Sequence, residues 1–124
     1  MISLLHIAGI LVLMLGVIHS ALGEVLIFKR LRSTDLTLAS GSPALSPRHL
    51  RALWSTWHLA SIFGFGLGLT LLIFTLYPSD AIKLATKGIS ITFLVSSLFW
   101  GLGTRGKHPA WIVFLIISAL SWFS

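Results

Sequence analysis

Three ionisable side chains lie inside the apolar parts of this sequence. His19 and Glu24 belong to the run Ile10 to Phe28, and His58 belongs to a second apolar run further along the chain. An ionisable group near the middle of a membrane-spanning helix costs about 3 kcal/mol unless another group pairs with it. Imidazoles and carboxylates bind metals, exchange protons and form hydrogen bonds, so the groups that these side chains face decide which chemistry the chain can perform.

The two histidines are predicted to lie at a similar depth. His19 precedes Phe28 by nine residues, and basic residues follow directly. His58 follows Arg51 by seven residues. At about 1.5 Å per residue, both imidazoles lie roughly 10–14 Å from the basic ends of their helices. We therefore predict a polar cluster near those ends, formed by His19, Glu24, His58 and His108 and supported by Ser20, Arg51, Trp54 and Ser61.

Three interpretations of this cluster are open. In the first it is a structural network, in which Glu24 pairs with Arg51 or Lys107 and the histidines bond hydroxyl or carbonyl groups. In the second, His19 and His58 bind a haem or a divalent metal ion, because imidazole is the commonest metal ligand. In the third, the cluster moves protons in an oligomeric transporter. Hydrolytic or transferase chemistry through His58 or Glu24 is left open, but neither a Ser–His–Asp arrangement nor paired carboxylates in the sequence support it.

The composition indicates a membrane protein. The 124 residues are 56% hydrophobic and 10% charged, with a mean hydropathy of +0.97. A water-soluble domain has about 25% charged residues, so this chain has too few to cover a soluble surface. The length predicts a single transmembrane domain over residues 1–124. The absence of cysteine excludes disulfides and thiolate metal sites.

The basic residues indicate how the chain is oriented. The formal net charge is +6, and seven of the nine Lys and Arg residues lie within or directly beside the connections 29–50 and 103–108. This distribution fits contact with anionic lipid headgroups, and it argues against nucleic acid, which needs a hydrated surface. The positive-inside rule predicts that both connections are cytoplasmic and both termini outside, in the cytoplasmic membrane of a bacterium.

The apolar runs predict an all-α fold, an antiparallel bundle of four transmembrane helices. The helices are expected at about 2–28, 47–77, 81–102 and 109–124. Ser46 and Pro47 fit the N-cap and the first position of the second helix. The last helix is short for a hydrocarbon layer of about 30 Å, and local thinning of the bilayer would accommodate it.

Two of these helices have a distinct face. Gly9, Gly16 and Gly23 recur every seven residues and form a stripe that lets a neighbouring helix approach closely. His19 and Glu24 flank this stripe, so both are expected to point toward another helix. On the second helix, 3–4 spacing places six residues on one face: Arg51, Trp54, His58, Ser61, Phe65 and Gly68.

Three short motifs accompany the cluster: HSALGE at 19–24, TWHLAS at 56–61 and GKHPAW at 106–111. Together they resemble small four-helix membrane proteins of bacteria. The resemblance implies the fold over nearly the whole chain and attaches no activity to it. We predict a binding or accessory component of the membrane, with a second copy or another membrane protein as partner. A bis-His haem or metal protein and an oligomeric proton-coupled transporter of small solutes are the alternatives.

Overall fold

The computed structural model describes residues 3–33 and 46–123, and every regular element within these ranges is helical. This confirms the predicted all-α class for the described residues. Part of the predicted connection (34–45, with its break at Pro43) and the predicted helix ends at 2 and 124 lie outside them. The four helices are α1 (Leu4–Ser33), α2 (Pro47–Leu76), α3 (Ala81–Gly103) and α4 (Ala110–Phe123).

Three of the four helices are long and apolar enough to cross a membrane. They are α1, α2 and the segment Pro78–Gly103, which joins a short 3-10 turn to α3. The fourth helix, α4, has 14 residues and is therefore about 21 Å long. It is shorter than the hydrocarbon layer of about 30 Å, as the sequence indicated.

The first helix is longer than predicted. It continues past Phe28 through Lys29–Ser33, because lysine and arginine are good helix formers and neither glycine nor proline interrupts the chain there. Within it, Gly23–Phe28 forms a π-helical turn that includes Glu24. Single π-turns inside α-helices occur frequently at functional sites. The arginines that we expected in a loop are therefore presented on a helix.

Side chains cap the starts of α1 and α2. The Ser46 hydroxyl accepts a hydrogen bond from the backbone N–H of His49, and Pro47 occupies the first position of α2. This confirms the predicted N-cap. At the start of α1, the Ser3 hydroxyl accepts from the backbone N–H of His6, whose side chain in turn receives the backbone N–H of Ser3. Both caps satisfy backbone donors that a helix start leaves without partners.

The glycine stripe of α1 packs against α2, as predicted. A Cβ placed on Gly9 or Gly16 would come within 2.8 Å and 2.7 Å of side-chain atoms of α2, so each glycine makes room for a large side chain. The contacts join Gly9 to Leu72, Gly16 to Phe65 and Gly23 to Trp57. Residue numbers therefore rise along α1 as they fall along α2.

Serine hydroxyls join α3 to α4. Ser90 Oγ donates to the carbonyl of Ser118 at 2.7 Å, and Ser118 Oγ donates to the carbonyl of Ser90 at 2.8 Å. At the start of α4, Ser97 Oγ donates to the carbonyl of Trp111 at 2.7 Å. All three serines are buried, and each hydroxyl is satisfied across the helix pair.

Contacts run along the chain order, from α1 to α2, α2 to α3 and α3 to α4. Phe63, Phe93 and Phe114 form an aromatic contact that also brings α2 to α4. In the described part of the chain, the large apolar side chains that are nearly fully buried are those of Phe28 and Trp100. Most leucine, isoleucine and valine side chains point outward, so the polar and small residues lie between the helices and the apolar ones outside.

Replacing Gly23 by alanine is expected to destabilise the protein. The new Cβ would overlap the indole of Trp57, and overpacking of this kind costs about 1–3 kcal/mol. Gly64→Ala is the matched control, because a Cβ there meets nothing within 4 Å. Both changes bring the same gain in helix propensity, up to about 1 kcal/mol. Thermal unfolding in detergent should show a lower Tm for Gly23→Ala than for Gly64→Ala; equal Tm values would contradict the close contact.

Candidate functional site

The carboxylate of Glu24 is the charged centre of the site. It lies in the π-turn of α1, where one oxygen, Oε1, forms an ion pair with Arg32 two turns further along the same helix. The other oxygen, Oε2, accepts a hydrogen bond of 2.9 Å from Trp54 Nε1 of α2. The carboxylate is therefore bound from both helices. Its side chain is still 42% exposed, so a further group can reach it.

His58 of α2 lies beside this carboxylate and bonds a serine of α1. The Ser20 hydroxyl donates to Ser61 Oγ at 2.9 Å and lies 2.8 Å from His58 Nδ1. A hydroxyl has one hydrogen, and Ser20 gives it to Ser61, so the hydrogen in the Ser20–His58 bond belongs to His58 Nδ1. In a neutral ring, Nε2 is then an acceptor.

The second nitrogen of His58 has no hydrogen-bond partner among the described residues. Nε2 is buried and lies 3.7 Å from Glu24 Oε2, which is too far for a hydrogen bond. Aromatic rings surround the imidazole: Trp54 at 4.6 Å, Phe28 at 6.1 Å and Phe99 at 6.4 Å between ring centroids. These rings keep water away from the His58 side of the carboxylate.

His19 is placed by Trp57. The two rings stack with centroids 4.4 Å apart and planes inclined by 5°. Trp57 Nε1 donates to the backbone carbonyl of His19 at 3.0 Å, so one tryptophan fixes both the ring and the backbone. His19 Nε2 is buried and, among the described residues, has no hydrogen-bond partner. Two imidazole nitrogens in the same region are thus buried and unpaired.

A crevice opens beside His19, between α1 and α2. Its volume is about 230 Å³, and Gly64 keeps it open, because a Cβ at this position would meet nothing within 4 Å. His19 and Ser61 are its polar lining residues, and the others are apolar: Val12, Leu15 and Ala60. A crevice of this composition suits a mostly apolar molecule with a small polar group.

The structure brings together most of the predicted cluster and its supports. Contacts join five of the eight predicted residues directly: Ser20, Glu24, Trp54, His58 and Ser61. His19 of α1 stacks on Trp57 of α2. Trp57 in turn contacts Phe28, which also contacts His58. All of the predicted α2 face except Arg51 contacts α1, including Phe65 and Gly68.

Two predicted members lie apart from the cluster. His108 packs edge-on against Trp100 at 5.4 Å between ring centroids, and its Nδ1 accepts the backbone N–H of Ala110 at 3.2 Å. Arg51 lines a separate small cavity with His108 and Lys107. Glu24 therefore pairs with Arg32 instead of Arg51 or Lys107. Because helix α1 continues to Ser33, Arg32 lies two turns from Glu24 and reaches its carboxylate. In the loop that we expected, Arg32 would not have been held at this distance from Glu24.

Sequence reasoning missed four residues of the site: Phe28, Arg32, Trp57 and Gly23. Trp57 was not among the predicted cluster residues, yet its indole bonds the backbone of α1. A signal was available for this contact, since Gly23 is the third member of the glycine stripe and has to face a bulky side chain. No sequence signal indicated Arg32, because its position depends on the π-turn and on the helical end of α1.

A metal site at His19 and His58 is one of the interpretations that the sequence left open. Within residues 3–33 and 46–123, His, Cys, Asp and Glu side chains form no group of three or more that would bind a metal ion. This finding concerns groups of three or more ligands. A metal site with only two protein ligands, His19 and His58, stays a prediction.

No protein-family model matches the chain, and no curated protein or solved structure matches it significantly. The resemblance to small four-helix bacterial membrane proteins therefore stays a prediction.

The two hydrogen-bond donors to Glu24 are expected to differ in their contribution to stability. Trp54→Phe keeps an aromatic ring beside His58 and removes the N–H, and a half-buried hydrogen bond to a charged acceptor contributes about 1.5–3 kcal/mol. Arg32→Gln removes an exposed ion pair, which contributes about 0–1 kcal/mol. Chemical unfolding in detergent should rank Trp54→Phe as the less stable variant. The reverse order would show that Arg32 dominates the binding of the carboxylate.

Proposed function

We propose that this chain is a small multi-pass protein of the bacterial cytoplasmic membrane and serves as a binding component for a neutral amphipathic molecule of the bilayer. Its four helices would pack antiparallel with both termini outside. The observation that carries the binding function is the buried, unpaired Nε2 of His19, a residue that lines the crevice. A buried polar atom without a partner costs about 1–3 kcal/mol, so such atoms are expected where another molecule completes the site.

Membrane insertion is supported by the distribution of apolar side chains. Leu4, Leu102 and Phe123 are 85%, 80% and 87% exposed, and they belong to a large set of outward-pointing apolar residues on all four helices. Water-soluble monomers rarely expose contiguous apolar patches above a few hundred Å². Lipid would cover this surface, and α4 would fit through local thinning of the bilayer.

The proposed orientation rests on the basic residues. Seven of the nine lie toward the Glu24 end of α1, the start of α2 or the α3–α4 connection, while Lys83 and Lys87 begin α3 at the other end. The positive-inside rule favours the first set in the cytoplasm. The polar cluster would then lie just below the cytoplasmic headgroups.

The lining of the crevice supports a neutral ligand with an apolar chain. It has no lysine, arginine, aspartate or glutamate, so a charged head would not be compensated inside it. The imidazole of His19 and the hydroxyl of Ser61 would bond a small head carrying hydroxyl or carbonyl groups. The remaining chain would lie along the apolar residues of α1 and α2 and extend into the lipid.

The contact between α1 and α2 favours binding over proton transport. Polar side chains gather at its two ends: the cluster at one, and His6 bonded to Thr75 at 2.9 Å at the other. Between His6 and His19 lie 12 residues, or about 20 Å of helix, where the contact is formed by glycine, leucine and phenylalanine. No titratable side chain bridges that interval along this pair of helices, so a proton path through one copy would need another route.

Filling the crevice is expected to prevent ligand binding. We propose monoolein as the probe, because its head has hydroxyl donors and an ester carbonyl, so either tautomer of His19 can bond it. Gly64→Leu extends into open space and should lower monoolein affinity at least tenfold, measured by native mass spectrometry of the detergent-purified protein. Gly64→Ala is the matched control and should bind as the unaltered chain does. Equal affinity in all three proteins would contradict the proposed crevice.

The role of the His19 imidazole has its own test. His19→Phe keeps a flat ring against Trp57 and removes Nε2, so monoolein affinity should fall about fivefold, the loss of one hydrogen bond of about 1 kcal/mol. Elemental analysis and the visible spectrum of the unaltered protein separate the haem and metal alternative. A Soret band or bound metal that disappears in His19→Phe would favour that alternative over the amphiphile.

Because the chain has no native cysteine, introduced thiols can report its orientation. Ser79 and Arg105 are exposed, one before α3 and one after it. A membrane-impermeant maleimide should label Ser79→Cys in intact spheroplasts, and Arg105→Cys only after lysis. Labelling in the opposite order would place the basic connections outside.

A further inference from the structure

A second polar cavity lies near the start of α2, apart from the Glu24 cluster. Its volume is about 40 Å³, which is enough for a few water molecules or a tetrahedral anion. We call it the basic pocket, and the first turns of α2 and the connection between α3 and α4 contribute its lining: Arg48, Arg51, Ala52, Thr104, Lys107 and His108.

Three of these side chains carry a permanent positive charge. Within residues 3–33 and 46–123, the carboxylate that forms an ion pair with an arginine or lysine is that of Glu24, and its partner is Arg32. No described carboxylate therefore compensates Arg48, Arg51 or Lys107. Like charges around one small cavity repel each other, and the repulsion grows where lipid lowers the local dielectric constant. An anion in the basic pocket would turn this repulsion into attraction.

His108 adds a hydrogen-bond donor at the same place. Its Nδ1 accepts the backbone N–H of Ala110, so the ring hydrogen of the neutral form is on Nε2. Since His108 is exposed and lines the pocket, this N–H can donate to an acceptor there. Ala110 begins α4, a helix of 14 residues, so the helix dipole also favours negative charge near His108.

The backbone fixes the connection that carries Lys107 and His108. Gly106 N–H donates to the carbonyl of Gly101 at 2.7 Å, and Arg105 N–H donates to the carbonyl of Leu102 at 3.1 Å. These two bonds form a Schellman motif, with Arg105 in the left-handed conformation at φ 53°. The turn reverses the chain over the start of α2. The backbone positions of Lys107 and His108 are thus fixed, which reduces the ordering needed when an anion binds.

Buried polar atoms also lie below the pocket. Trp100 is 7% exposed, its ring contacts His108, and its Nε1 has no hydrogen-bond partner within the described residues. Ser55 Oγ, four residues after Arg51 on α2, is likewise buried and unpaired there. The polar groups in this part of the protein are therefore less completely satisfied than those between α3 and α4.

We infer that the basic pocket binds a phosphate group. Two arginines and a lysine suit the charge and the oxygen geometry of phosphate, and the His108 N–H supplies a further donor. The pocket precedes the apolar part of α2, at the level where headgroups would lie. An anionic lipid headgroup and free inorganic phosphate offer the same chemistry, and the experiment below separates them. This site is distinct from the crevice, so either can fail without the other.

The test is a ligand-induced shift of Tm for the full chain in a neutral detergent. Dioctanoyl phosphatidic acid should raise Tm by about 5 °C at tenfold its Kd, while dioctanoyl phosphatidylcholine should leave it unchanged. A shift of the same size with inorganic phosphate at equal concentration would support the site with a soluble ligand. Failure of both phosphate sources to shift Tm overturns the proposal.

Variants separate the basic pocket from general charge attraction. Arg51→Gln combined with Lys107→Gln should abolish the shift, and the exposed Arg48→Gln should reduce it by at least half without a packing change. Arg105→Gln is the matched control: it removes one charge from the same connection, at an exposed residue outside the pocket lining, and should keep the full shift. An equal loss in Arg105→Gln overturns the proposal in favour of unspecific attraction.

Discussion

The close approach of α1 to α2 is the constraint on which the candidate site depends. Three glycines of α1 receive Leu72, Phe65 and Trp57 of α2, and the last of these contacts lies inside the polar cluster. Trp57 both packs on Gly23 and bonds the backbone of His19, so the same side chain sets the helix separation and the imidazole position. With a wider separation, neither Trp54 nor His58 would reach Glu24. In this pair of helices, packing and polar chemistry are parts of a single contact.

Most hydroxyl groups between the helices form hydrogen bonds within the protein, as expected where lipid offers no hydrogen-bond partners. Serine and threonine hydroxyls between the helices bond carbonyls or each other, as in the reciprocal pair of Ser90 and Ser118. Four buried side-chain atoms of the described residues depart from this pattern and have no hydrogen-bond partner there: His19 Nε2, His58 Nε2, Ser55 Oγ and Trp100 Nε1. The two imidazoles lie at the contact of α1 with α2, where His19 also lines the crevice. Trp100 lies on α3 and contacts His108, a lining residue of the basic pocket.

The basic residues divide into two groups with different surroundings. Arg32 neutralises Glu24 across two turns of its own helix, and the pair has no net charge. Arg48, Arg51 and Lys107 gather around a cavity with no described carboxylate beside them. Net charge alone does not distinguish the two groups. Their different neighbours give the first a role within the polar cluster and the second a role in binding anions.

Composition and periodicity were sufficient for the helical class, the glycine stripe, the face of α2 that carries Trp54, His58 and Ser61, and the N-cap at Ser46. These features depend on hydrophobicity and on angular position around one helix, which local spacing determines. Tertiary structure alone decided that Arg32 is the partner of Glu24, that Trp57 places His19, and that His108 and Arg51 lie in another pocket. Spacing along one helix carries no information on its register against a neighbour. A π-turn also shifts the angular position of every residue that follows it, so pairings across helices are fixed only when the helices pack.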